Sequence, residues 1–160
     1  MVEIGGYPFN KPELLKQALT TRDYSKQAKD KGEDNVHHQL PMRTLGDKVL
    51  STLLAEHFYR PDISQKELKD LMVPIERRSG LCILAKYLDF TERMFTSDDE
   101  KENDKHKGDR VQAETSEAII AAVLLDSDYY TCSDVVLGWL RKTGQLPRKP
   151  ILPQNQITPR

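Results

Sequence analysis

Cysteine is scarce in this sequence. Only Cys82 and Cys132 occur in 160 residues, far apart and without the spacing of metal ligands. Buried thiols fit that pattern better than a disulfide, and they suit a reducing cytoplasm. Long apolar runs are missing too. None approaches the roughly 20 residues that span a bilayer. The opening "MVEIGGYPFNKPELL" lacks the basic-then-apolar order of a signal peptide. A protein neither secreted nor set in a membrane is expected. Charge of one sign is not in excess, with 24 Lys and Arg against 25 Asp and Glu. There is thus no global pull toward a polyanion, and a phosphate backbone would have to meet a local cluster. Neither a glycine-rich loop followed by Lys-Ser or Lys-Thr nor a Gly-x-Ser-x-Gly turn is present. P-loop nucleotide hydrolysis and serine hydrolase chemistry are therefore unsupported.

What is present is helical patterning over most of one ordinary-sized domain. "NKPELLKQALTTR" opens with Asn10 as N-cap and Glu13 at capping-box distance, and Leu14, Leu15, Ala18 and Leu19 form a face. Residues 22–37 are polar and read as a loop. From Gln39 to Tyr59 a long helix is predicted, with apolar positions wrapping more than half its circumference, which makes it central. A helix capped by Asp62 or Ser64 follows, ended or kinked by Pro74, and then a short one carrying Leu81, Leu84, Ala85 and Leu88. Residues 96–110 read as a mobile, charged, low-complexity connector. "QAETSEAIIAAVLLDSD" is the next helix. "SDVVLGWLRKTG" is the last, with Ser133 as N-cap and Gly144 as stop. The reading is one all-α domain over residues 1–146, with a Pro-rich disordered tail over 147–160. No strand alternation and no internal repeat is evident.

The chemistry-bearing residues are acids on apolar helices. Glu114 and Glu117, one turn apart, share a face. Acids in a first helical turn commonly just complement the macrodipole. The other reading is a hard-oxygen site for magnesium or manganese. A third acid supports that second reading. Asp47 has Leu50 and Leu54 on its own helix face, where an ionised carboxylate needs a partner. Arg43, one turn earlier, could be that partner. Gly46 sits mid-helix at a cost of about 1 kcal/mol relative to Ala, a sign that something approaches the backbone closely. Two such helices packed side by side would gather three carboxylates, and metal ions would relieve their repulsion. His37 and His38 lack further zinc ligands nearby and read as loop residues. Trp139, four residues after Val135, reads as core.

With these residues in place, the sequence resembles the nuclease domain of the ribonuclease III family over about residues 4–143. "YPFNKPELLKQALTTR" is similar to the family's opening helix, and "LGDKVLSTLLAEHFY" to the second half of the signature Leu-Glu-Phe-Leu-Gly-Asp-Ala-Val-Leu. "AETSEAIIAAVLLDSDYYTCSDVVLGWL" resembles the second acidic motif and the two helices that follow. The resemblance implies an all-α domain paired as a two-fold homodimer. It implies a valley for double-stranded RNA, and magnesium- or manganese-assisted phosphodiester hydrolysis. It carries the catalytic pair onto Asp47 and Glu117, and the metal set onto Asp47, Glu114 and Glu117.

The departures cluster in "QLPMRT". Arg43 stands where the signature has a metal-facing glutamate, and Leu40 and Pro41 replace Glu and Arg. Thr44 replaces a Phe that in the family lies at the dimer contact. Losing one ligand and gaining a cation weakens metal affinity. Two functions follow as expectations. One is a metal-dependent endonuclease on double-stranded or structured RNA with a weakened site. The other is a non-cleaving RNA-binding subunit that keeps fold and dimer. No double-stranded RNA-binding domain is expected within the chain, so RNA affinity would come from the domain or a partner. Arg77 and Arg78 in "ERRSG", and the basic stretch "LRKTGQLPRK", are the candidate phosphate contacts.

Overall fold

The computed structural model describes residues 1–147, so the proline-rich tail expected over 147–160 lies, apart from Pro147, outside the described residues. Among the described residues, eight α-helices follow a small hairpin. The hairpin pairs β1 (Glu3–Ile4) with β2 (Tyr7–Pro8) around Gly5 and Gly6, both in the left-handed region. Two residues per strand are too few to show alternation, which is why the sequence reading found no strand. Gly5 is fixed by what lies over it. Its carbonyl accepts a bond from Trp139 Nε1, and an added Cβ would come within 2.5 Å of that nitrogen. Trp139 is core, as expected.

Helix α1 (Pro12–Ala18) does not use the Asn10–Glu13 box. Its orphan amides go to a residue 115 positions away in sequence. Asp126, at the end of α7 (Asp109–Asp126), accepts bonds from Lys11 N, Asn10 N and the Tyr7 hydroxyl. Burial opposes charge on this carboxylate. The bonds from Asn10 N, Tyr7 and Lys11 N outweigh it and hold the group below its ordinary range.

The stretch read as a loop contains α2 (Arg22–Asp30), started by the Thr21 side chain accepting from Tyr24 N. Few of its positions are apolar. Tyr24 packs on Phe95 and Ala28 is buried, so the sequence signal for this helix is faint. The central helix α3 (Leu40–Phe58) matches the expectation closely. Helix α4 (Gln65–Glu76) begins with a full Ser64–Glu67 capping box and ends two residues after Pro74. A tight corner at Arg77 leads into α5 (Arg78–Leu88), where Gly80 lies so close to the Pro74 and Ile75 carbonyls that no side chain fits.

Residues 96–110, read as a mobile, charged, low-complexity connector, hold α6 (Asp98–Glu102) and a 3-10 turn, Lys105–Lys107. Two side chains anchor them. Glu100 is buried, accepting from Ser97 N and the Thr21 hydroxyl, and His106 is buried against the Glu100 carbonyl. Composition reported the charge of this stretch but not these anchors. Helix α8 (Tyr129–Lys142) starts at Asp128, whose carboxylate accepts from Thr131 N, and not at Ser133. It ends at Thr143, followed by Gly144 at φ +77°.

The core centres on α7, where residues 118–123 have no exposed surface. Its most extensive partner is α3, followed by α5. Leu125 breaks the pattern at 44% exposure. Both cysteines are free thiols. Among the described residues no helix is long and apolar enough to cross a membrane.

Candidate functional site

The α3–α7 contact is close enough to touch backbone to backbone. A Cβ placed on Gly46 would lie 1.8 Å from the Glu117 carbonyl oxygen. Only glycine permits this approach, which explains the mid-helix glycine. It also decides where the acids go: Asp47 follows the contact residue on α3, and Glu117 is the contact residue on α7. Glu114 lies one turn toward the start of α7. The sequence predicts these three acids together; in the structure the charge of Asp47 acts on Glu117, and Arg43 lies against both Glu114 and Glu117.

The environment differs among the three. The Glu114 and Glu117 side chains are 16% and 13% exposed, and that of Asp47 is 45% exposed. Burial pushes the Glu117 carboxyl up to about 7, and the nearby charge of Asp47 pushes in the same direction. Arg43 opposes this, Glu114 adds a further push, and Lys48 opposes weakly.

Arg43 is not paired with Asp47, as helix spacing suggested. Its guanidinium reaches across the helix pair, 3.4 Å from Glu114 Oε1 and 3.7 Å from Glu117 Oε2. Asp47 pairs instead with Lys48 at 2.9 Å. The half-buried carboxylates of α7 need a cation more than the half-exposed Asp47 does, and arithmetic within one helix cannot see a partner on another. Arg110, absent from the sequence reading as a site residue, adds a second cation, with its Nε 3.0 Å from Glu114 Oε1. Its signal was legible, four residues before Glu114 on the same helix.

Among the described residues no group of three or more His, Cys, Asp or Glu is arranged to hold a metal ion. By donor chemistry, three carboxylates on one rigid helix pair fit a hard divalent cation. The guanidinium lying against two of them does not, and it must move for all three to converge.

Arg77 and Arg78 are exposed at the α4–α5 corner. Glu76, next to them, accepts from Ser51, one turn of α3 beyond Asp47, which ties the corner to α3. Arg141 and Lys142 are exposed at the end of α8. Gln145 Nε2 donates to Gly80 O at 2.9 Å, which brings this basic stretch beside the start of α5. Its Arg148 and Lys149 lie outside the described residues.

The helical fold is that of ribonuclease III nuclease domains. Two structures of that domain from Campylobacter jejuni superpose with TM-scores of 0.77 and 0.75, at 19% and 20% identity. They cover 89% and 90% of this chain and 94% and 93% of theirs. The first is described as showing flexibility in a region involved in dimer formation. The family model for ribonuclease-III-like proteins matches residues 11–143, and the chain belongs to that family. Ribonuclease 3 of Pasteurella multocida is 32% identical over 136 residues, 84% of this chain and 56% of the relative. Ribonuclease 3 of Pseudothermotoga lettingae is 30% identical over 139 residues, 86% of this chain and 58% of the relative. The chain thus spans little more than half the length of these curated relatives.

Proposed function

We propose that this chain is a ribonuclease III-like endonuclease domain acting on double-stranded or structured RNA. Asp47, Glu114 and Glu117 are its magnesium or manganese ligands, and it works as a homodimer. The observation supporting this reading is the Gly46–Glu117 backbone contact between α3 and α7, with the charge of Asp47 acting on Glu117 across it. A divalent ion bound there supplies acidification of an attacking water and neutralisation of phosphate charge. The chain's own part is positional. Glu117 and Glu114 are held by a buried helix. Asp47 is the most accessible ligand. Arg77 and Arg78, exposed at the α4–α5 corner, are its phosphate contacts. Arg43 lowers metal affinity by neutralising Glu114 and Glu117.

The test is incubation of the protein with a long RNA duplex, with and without magnesium or manganese, beside an Asp47→Ala, Glu117→Ala double variant. Cleavage that needs metal and disappears in the variant is expected. Arg43→Glu, which restores an acid and removes the cation, is expected to raise metal-dependent cutting. The second reading, a non-cleaving RNA-binding subunit, draws support from the bridge of Arg43 to both α7 acids. Duplex binding without cleavage, unchanged in the double variant and in Arg43→Glu, would establish it.

A further inference from the structure

Next to the acidic site lies a second cleft of about 260 Å³, lined by the first turns of α2, α3 and α7. Glu114 is one of its walls. The groups around this second cleft divide by chemistry. Two of its acceptors are occupied: Glu100 by the Thr21 hydroxyl and Ser97 N, and Glu114 by Arg110 and Arg43. Asp23, the remaining acid, feels the charge of Lys105.

The groups left without partners are donors. Arg22 is exposed and, among the described residues, has no ion-pair partner. Arg110 spends its Nε on Glu114 and keeps its two terminal nitrogens. Gln39 is the most informative. It is only 3% exposed, and its Oε1 accepts from the Thr115 hydroxyl at 3.0 Å. Its Nε2 has no acceptor among the described residues, and no sealed side-chain nitrogen there lacks a partner, so this amide opens into the cleft. A buried amide held by one end, with its donor end free, needs an acceptor from outside.

Free donors of this kind, two of them guanidiniums, select an oxyanion. We propose that this cleft binds a phosphate group. On the reading given under Proposed function, that phosphate belongs to the RNA strand lying across the acidic site. Arg22, Gln39 and Arg110 are then positioning residues that fix the strand, through a neighbouring phosphate, relative to Asp47 and Glu117. With three arginines, counting Arg43, against three carboxylates, charge alone does not drive binding. Most of the gain comes when the phosphate is part of a strand.

The experiment uses the full chain without divalent metal. Inorganic phosphate is titrated against chloride at matched ionic strength, with melting temperature as the readout, and a short RNA duplex is titrated separately by fluorescence anisotropy. Phosphate is expected to stabilise saturably. Arg22→Ala should weaken this at least about 5-fold, with partial recovery in Arg22→Lys. Gln39→Leu should do the same. Because Gln39 also anchors Thr115, a Gln39 variant that fails to fold is set aside for the exposed Arg22. Duplex affinity should fall in parallel, with its salt slope reduced by about one charge.

Equal effects of chloride and phosphate, or phosphate midpoints unchanged in Arg22→Ala, would overturn the site. Loss of phosphate binding with unchanged duplex affinity would overturn its assignment to the strand. Failure of the nuclease reading looks different: phosphate and duplex still bind through Arg22, the Asp47→Ala, Glu117→Ala variant leaves that binding intact, and no metal produces cleavage.

Discussion

Gly46 and Gly138 offer one chemical change in two settings. Both are mid-helix, in α3 and α8, and in each the substitution to Ala should gain about 0.5–1 kcal/mol from helix propensity alone. At Gly138 nothing lies within 4 Å of the added carbon, so that gain should appear in full. At Gly46 the added carbon would sit 1.8 Å from the Glu117 carbonyl oxygen. Restoring even a 3.0 Å contact, below which real Cβ atoms are essentially never found, parts the helices by roughly 1.2 Å. Displacement on that scale forfeits a quarter to a half of the dispersion well for each contact it opens. The α3–α7 interface is the most extensive in the fold, so many contacts open together.

Overpacking of this kind costs about 1–3 kcal/mol and at times more. The clash here is with backbone, which cannot rotate away, so the cost belongs at the upper end of that range; after subtracting the propensity gain, Gly46→Ala should destabilise by about 2 kcal/mol, lowering the melting temperature by roughly 4–8 °C. Gly138→Ala should raise it by about 2–3 °C. Thermal and urea unfolding followed by far-UV circular dichroism measures both. A Gly46→Ala protein as stable as the parent would refute the backbone contact, and with it the reason for placing Asp47 beside Glu117.

Other predictions follow from the same contacts. Glu117 has a folded-state pKa raised above its ordinary 4.5 to about 7, so its protonated form favours folding. Its contribution is complete below about pH 4.5 and is lost as pH rises through about 7, an effect of up to about 3 kcal/mol. Glu117→Gln should remove that dependence and be more stable than the parent at pH 8; denaturation series at pH 5 and pH 8 give the comparison. Asp126→Ala strands Lys11 N, Asn10 N and the Tyr7 hydroxyl and should cost about 3–5 kcal/mol by urea unfolding. Thr21→Val removes the hydroxyl that ties Glu100 to α2. Limited proteolysis and hydrogen exchange should then show residues 97–107 opening well before the core, whereas uniform protection would mean that the tie is unimportant.

Legibility in the sequence tracked the range of the interactions. Helix α3 was evident because its apolar positions repeat along one short stretch, and the start of α4 because Ser64 and Glu67 are three residues apart. Helix α2 was missed because few of its positions are apolar and its support comes from Phe95. The start of α1 was assigned to Asn10 because the true acceptor, Asp126, is remote in the chain. The site followed the same rule. The helix faces suggest the three acids as a set, and Gly46 announces a close approach without saying to what. The partner of Arg43 was misassigned because its real partners are on α7. Gln39 was read only as the edge of a helix, since nothing in the sequence shows that its amide is buried with one end open.

Manganese binding, followed by electron paramagnetic resonance, tests the central claim that Asp47, Glu114 and Glu117 form one cation site across the α3–α7 contact. The account predicts weak binding by the parent chain and binding at least about 10-fold tighter in Arg43→Glu. It also predicts loss of binding from both backgrounds on Asp47→Ala, Glu117→Ala substitution. No binding in Arg43→Glu, or binding that survives removal of Asp47 and Glu117, would contradict it.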